Sequence, residues 1–238
     1  MSGYPRTDIT SDAVAEFDLI VLDFDGTLVD SQDLLVGLVN DILAATGLPR
    51  ADPTDVAATI GLPLDQVFRR AVPVHVTDAS MIDRLCSDYR LQADHMDFVR
   101  RFRLFPDVVE TLRALRAAGI HLVIGTSKTR ATTCDIVRHC GIADLIDDII
   151  GGDCVRHGKP HPEMVERARS RWKAAAARTL MVGDTPFDLR MGQAAGVAVC
   201  AVTYGMHSAE ALRTLHPHFL IDRFADLPRC VGVEMPAR

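Results

Sequence analysis

The stretch FDLIVLDFDGTLVDS, Phe17 to Ser31, decides how this chain is read. Its first half, Phe17 to Phe24, is a nearly continuous apolar run that ends in a turn signal. A run of that length without polar alternation suits a strand buried on both faces of a parallel sheet. Working outward, similar short runs recur at His121 to Gly125 (HLVIG), Thr179 to Val182 (TLMV) and Val197 to Val202 (VAVCAV). Between them lie helical patterns at Val108 to Ala118, Ala131 to Cys140, Pro162 to Arg171 and Phe187 to Ala195. Three of these run into Gly119, Gly141 and Gly196, and a glycine just past the last periodic residue is a helix stop. Strand and helix in alternation predict an α/β fold, a doubly wound parallel sheet.

The segment from about Ser31 to Phe105 breaks the rhythm. It holds helix-like stretches at Asp33 to Thr46, Leu64 to Ala71 and Ala79 to Phe98, and no strand pattern. At roughly 75 residues it is far longer than a connecting loop and reads as an inserted α-helical subdomain. The expected division is a Rossmann-like core of residues 1–30 and 105–238, with a helical cap of residues 31–104. Residues 1 to about 15 read as a loose tail.

Open α/β sheets carry ligand sites at the carboxyl ends of their strands. Four polar clusters follow strands or their neighbouring loops: Asp23-Phe-Asp25-Gly-Thr27, Thr126-Ser-Lys128, Gly158-Lys159-Pro, and Gly183-Asp184-Thr-Pro-Phe-Asp188. The alternation would bring all four to one pocket. Asp23 and Asp25 stand two apart on an extended chain, on one side, and Asp184 would join them from another strand. Carboxylates packed together repel, so a hard, oxygen-loving cation such as Mg2+ is the natural neutralising partner. Lys159 would balance the remaining charge. Gly26 lets the backbone turn sharply and its amides approach an anion.

These residues carry a resemblance. DFDGTLVDS at Asp23 to Ser31, IGTSK at Ile124 to Lys128, GKPHPE at Gly158 to Glu163 and GDTPFD at Gly183 to Asp188 resemble the four ordered motifs of the haloacid dehalogenase-like hydrolase superfamily. The resemblance spans about residues 17 to 230. It implies a phosphatase in which Asp23 is the nucleophile and Asp25 the general acid and base. It also implies that Thr126, helped by Ser127 and the turn at Gly26, binds phosphoryl oxygens, and that Lys159 offsets charge on Asp23. Magnesium would be held by Asp23, the main-chain carbonyl of Asp25, and Asp184, with Asp188 behind them orienting Lys159 or a metal-bound water. The carboxyl at Asp25 points to phosphoryl rather than dehalogenase chemistry. The insertion resembles a small helical cap, and GLPLDQVF at Gly61 to Phe68 is similar to a segment of the phosphoglycolate phosphatase-like subgroup.

The expected function is therefore Mg2+-dependent hydrolysis of a small phosphorylated metabolite through an aspartyl phosphate, with 2-phosphoglycolate or a similar ester as first substrate. Rivals within the superfamily are a pyrophosphatase, a sugar-phosphate or nucleotide phosphatase, and a phosphomutase. Outside enzymes, a phosphoaccepting receiver-like signalling module also clusters aspartates, a threonine and a lysine on a doubly wound sheet. Asp25 and the long insertion argue against it.

Bulk properties narrow the partners. A chain of 238 residues, 48% hydrophobic, can bury a full core, and a net charge of -6 disfavours nucleic acid as a partner. With no apolar run near the ~18 residues needed to span a bilayer, a cytoplasmic protein without membrane association is expected, as monomer or homodimer. The six cysteines form no CxxC pair and read as reduced thiols. Cys154, His157 and His161 resemble part of a zinc site that lacks a fourth ligand. Lys128 reads as a solvated charge. Among the arginines, Arg69, Arg70 and Arg101 are candidates to hold a substrate carboxylate, against the plainer reading of solvated helix faces.

Overall fold

A computed structural model describes residues 17–76 and 78–234, so the expected N-terminal tail lies outside the described residues. In chain order the strands are Leu19–Leu22 (β1), Val29–Asp30 (β2), Arg103–Leu104 (β3), His121–Gly125 (β4), Asp148–Ile150 (β5), Thr179–Gly183 (β6), Ala198–Val202 (β7) and Phe219–Ile221 (β8). Six of them form a parallel sheet in the order β5-β4-β1-β6-β7-β8. The chain leaves β1 for β4 and β5 on one side, then returns to build β6, β7 and β8 on the other. The two directions part at β1, where a doubly wound sheet opens its ligand crevice.

The apolar runs are buried on both faces, as their lack of alternation requires. Ile20, Leu22, Leu122, Ile124, Leu180 and Val182 point into one core, while Leu19, Val21, Val123, Met181 and Val199 point into the other. The second core is closed by Met164, Val165 and Ala168 of helix Glu163–Trp172 and by Leu189 and Met191 of helix Pro186–Ala194. The helices Val108–Ala117, Arg130–His139 and Pro186–Ala194 end just before the glycines read as stops, and Gly119, Gly141 and Gly196 have φ of 82°, 70° and 67°.

Among the described residues between β2 and β3 run five helices, Gln32–Ala45, Pro53–Ala57, Leu64–Ala71, Ala79–Ala93 and Met96–Val99. The stretch expected as one helix from Ala79 to Phe98 is two, broken at Asp94 and His95, where the His95 side chain accepts from Asp97 N and starts the second. β2 and β3 pair antiparallel, Val29 with Leu104 and Asp30 with Arg103, so departure and return share one narrow two-stranded neck. Among the described residues no helix is long and apolar enough to cross a membrane. All six cysteines are free thiols.

Candidate active site

Asp23 follows β1 directly. Its amide donates to Val182 O at 2.8 Å, which extends the β1–β6 ladder by one rung and sets Asp23 beside Asp184, the residue after β6. The chain then doubles back, with Leu28 N and Val29 N both donating to Phe24 O and Gly26 N donating to Val29 O. That turn needs Gly26. Its φ is 81°, and a Cβ there would sit 2.2 Å from Asp184 Oδ2. Asp184 is held from two sides, its Oδ1 accepting from Thr27 Oγ1 at 2.9 Å and its Oδ2 from Met206 N at 2.7 Å. Tyr204 steadies Thr27 in turn by donating to its carbonyl at 2.9 Å.

Asp188 lies in the first turn of helix Pro186–Ala194. Thr185 caps that helix, and with Asp188 it forms a capping box: Asp188 N donates to Thr185 Oγ1, and Asp188 Oδ2 accepts from Thr185 N at 3.0 Å. Its other oxygen accepts from Lys159 Nζ at 2.7 Å, and Lys159 Nζ also donates to Asp23 Oδ1 at 2.5 Å. Lys159 is entirely buried. Asp23, Asp184 and Asp188 each offer a carboxylate oxygen within 4.8 Å of the others, and all three are buried.

The charges there do not balance. Burial would pull the Lys159 ammonium down, but Asp188 and Asp23 beside it hold its pKa above the ordinary range, so it is a fixed cation. Burial raises Asp23 well above a normal carboxylate, and Asp188 and Asp184 push it the same way, against the pull of Lys159. Asp184 is raised to about 7, first by burial and then by Asp188. Three carboxylates around one ammonium leave excess negative charge in a dry place. Hard oxygen donors at this spacing fit a divalent cation.

Asp25 faces the other way along the crevice. Its Oδ1 accepts from Ser31 Oγ at 2.7 Å and its Oδ2 lies 2.9 Å from Lys128 Nζ. Lys128 is therefore not the solvated charge expected of it: its side chain is 12% exposed and packs over the Phe102 ring. Burial alone would lower it, yet Asp25 and Tyr89 keep it raised. Thr126, buried at the end of β4, accepts from Lys128 N at 3.2 Å and lines the same cavity as Asp23, Asp25 and Lys159.

Other expectations need correction. The Ser127 hydroxyl, expected as a phosphate ligand, lines the cavity beside Thr126 and also donates at 2.6 Å to Gly61 O in the helical insertion, which ties insertion to core. Arg69, Arg70 and Arg101, read as substrate ligands, are exposed and line no part of the cavity. Helix Leu64–Ala71 turns Val67 and Phe68 inward, which leaves Arg69 and Arg70 on the outer face, Arg69 near Asp65. Arg101 lies over Phe98 instead. The arginines that do line the cavity are Arg90 and Arg156. His157 and His161 gather with Glu163, not with Cys154, and Glu163 also accepts from the amides of Arg156 and His157, which makes it a cap for that loop.

Thr27, Ser31, Lys128, Tyr204 and Met206 went unread as site residues. A signal existed for some: Thr27 and Ser31 lie inside the same turn as the aspartates they bind, and Thr-Pro-Phe-Asp is a capping-box pattern.

The haloacid dehalogenase-like hydrolase family model matches residues 20–202. This chain belongs to that family. It is 35% identical over 209 residues to a protein named probable phosphatase IndB of Dickeya dadantii, covering 88% of this chain and 91% of that one. It is 34% identical over 217 residues to a phosphoglycolate phosphatase of Yersinia pseudotuberculosis, covering 90% and 93%. A Bacteroides fragilis protein whose crystal structure carries the family's name superposes with a TM-score of 0.83 at 31% identity, covering 89% of this chain and all of that one. Fold and enzyme class are thus those expected, a haloacid dehalogenase-like phosphatase with a parallel α/β sheet.

Proposed function

We propose that this hydrolase cleaves a small phosphorylated metabolite, a phosphomonoester, in two steps through an aspartyl phosphate on Asp23, with Mg2+ as cofactor. The observation that carries the reading is the buried cluster of Asp23, Asp184 and Asp188 around the single ammonium of Lys159. Asp23 is the carboxylate of that cluster at the end of the central strand, where it attacks phosphorus and displaces the alcohol, splitting one hard step into two. Asp25 protonates the departing oxygen and later takes a proton from the water that attacks the acyl phosphate. Thr126 and Lys159 stabilise charge on the transferring group, the main task in phosphoryl transfer. Asp23 and Asp184 would hold the cation, with the Asp25 main-chain carbonyl that the family pattern implies. When bound, it supplies the positive charge the cluster lacks. The helical insertion acts as a cap that closes the site against water.

The substrate named for several relatives, phosphoglycolate, makes 2-phosphoglycolate the first ester to try. The test is release of inorganic phosphate from p-nitrophenyl phosphate and from that ester, with Mg2+ and with EDTA. Turnover should require the metal, and Asp23→Asn should lower kcat by more than about a thousandfold while keeping the fold. Appreciable turnover in that variant would mean another nucleophile. A stable phosphoprotein without phosphate release would favour a receiver-like switch, and an isomerised product a mutase.

A further inference from the structure

The cavity that begins at Asp23 and Asp25 continues beneath the helical insertion as a partly open cleft of about 1020 Å³. Pockets for drug-sized ligands run to roughly 300–1,000 Å³, so this one has room far beyond a phosphate and a two-carbon acid. The volume does not come from an insertion standing away from the core. Ser127 Oγ already reaches Gly61 O at 2.6 Å, and a methyl group at Gly158 would meet Pro63 at 3.1 Å.

Beyond the phosphate end one part of the wall is apolar, while Asp65, Gln66, Arg90, Asp94, Arg156 and His157 line other parts. Leu35 and Val39 come from helix Gln32–Ala45, Ile60 and Leu62 from the loop after Pro53–Ala57, Val67 from helix Leu64–Ala71, and Phe98 from Met96–Val99. All six are largely buried. The two buried ammonium groups of the cavity are already engaged, Lys128 by Asp25 and Lys159 by Asp23 and Asp188. Arg90 and Arg156 stand exposed. The apolar wall, away from the engaged ammonium groups, is a poor seat for a glycolate carboxylate, whose desolvation would go uncompensated there. It is a good seat for a ring or an alkyl chain.

We propose that this chamber receives a bulky, largely apolar leaving group, so that the substrate class is a phosphomonoester of a chain- or ring-bearing alcohol rather than of a two-carbon acid. The inference rests on the phosphatase reading and narrows it.

Ethyl, butyl and hexyl phosphate share nearly the same leaving-group chemistry and differ in apolar reach. With Mg2+ present, kcat/KM should rise about two- to fourfold per methylene, the range for burying a CH2. Hexyl phosphate should then exceed 2-phosphoglycolate by at least tenfold. A flat series, or 2-phosphoglycolate ahead of hexyl phosphate, overturns the proposal. Val67→Thr, which keeps the side chain's shape, and, separately, Ile60→Thr, which is one carbon shorter, should each lower the hexyl-to-ethyl ratio about threefold or more; an unchanged ratio in both overturns the placement. Calorimetric binding of hexylphosphonate against phosphonoacetate reads the same preference without turnover. Absence of hydrolysis from every ester, p-nitrophenyl phosphate included, would sink the phosphatase reading, while the phosphonate order still decides the chamber's occupant.

Discussion

Lys128 Nζ sits 2.9 Å from Asp25 Oδ2, with the two side chains only 12% and 10% exposed. The carboxyl proposed to move the proton is thus held between an ammonium and the Ser31 hydroxyl at the wall of the cavity. Charge-assisted hydrogen bonds in such partly dry places fix geometry as well as charge. Lys128→Met removes that partner, and kcat/KM should fall roughly ten- to a hundredfold, the scale of one charged hydrogen bond at a reacting centre. Circular dichroism should show the fold intact, and Lys128→Arg should recover part of the loss. A variant within twofold of the parent would assign the pair a packing role only.

Lys159 anchors the other end. With Asp23 and Asp188 both on its Nζ and no exposure, its removal leaves buried carboxylates unpaired. Breaking a buried pair in this way costs about 3–5 kcal/mol. Lys159→Met should therefore abolish turnover and lower Tm by roughly 6–20 °C for a chain of this size. Adding Asp188→Asn should restore a good part of the stability but none of the activity, a coupling read by a double-mutant cycle. Equal Tm losses in the single and double variants would show that charge is not what Lys159 contributes.

The Asp184 pKa of about 7, against an ordinary 3.8, makes the metal-free fold pH-sensitive. A carboxyl raised on folding binds its proton more tightly in the folded state, so its contribution is fullest below the ordinary value and is lost as pH rises through about 7. The cause is burial first, then Asp188. In EDTA, Tm should fall as pH is raised from about 5 to 8, by at most about 3 kcal/mol worth of stability. Saturating Mg2+ should cancel that fall, since it supplies the charge the ionised cluster needs. Asp184→Asn should flatten both responses. A metal-free Tm that holds steady or climbs over this range would contradict the assignment.

The central frame was legible because buried parallel strands leave strong local marks. HLVIG and TLMV fall on β4 and β6, and four motif clusters meet at the carboxyl ends of the strands, as their strand-end positions require. β5 and β8, three residues each, left no readable run, since edge strands need few apolar residues and pair on one side. The apolar run Phe17 to Phe24 outlasts the ladder of Leu19–Leu22, so it marks β1 longer than it is. Within the site, the aspartates and Lys159 were legible from spacing. Lys128 and the arginines were not, because only the packing of the insertion decides which long side chains face the cavity. A lysine after a strand looks solvated until Phe102 lies beneath its ammonium and Asp25 pairs with it.

Gly26 offers a sharper check on the acidic cluster than any charge removal. At φ of 81° an alanine is strained, and its Cβ would fall 2.2 Å from Asp184 Oδ2, 2.7 Å from its Cγ and 2.9 Å from Oδ1. Asp184 has no easy retreat, because Thr27 and Met206 hold both of its oxygens. Gly47 supplies the control: its φ is 77°, yet an added Cβ meets nothing within 4 Å. Gly47→Ala should cost only the left-handed backbone penalty of about 1–2 kcal/mol and leave kcat unchanged. Gly26→Ala should carry that same penalty and in addition displace Asp184, weakening Mg2+ activation and lowering kcat/KM by more than about a hundredfold. Titrating activity against Mg2+ in both variants separates the two effects. If Gly26→Ala matched Gly47→Ala in metal requirement and rate, Asp184 would have no part in holding the cation.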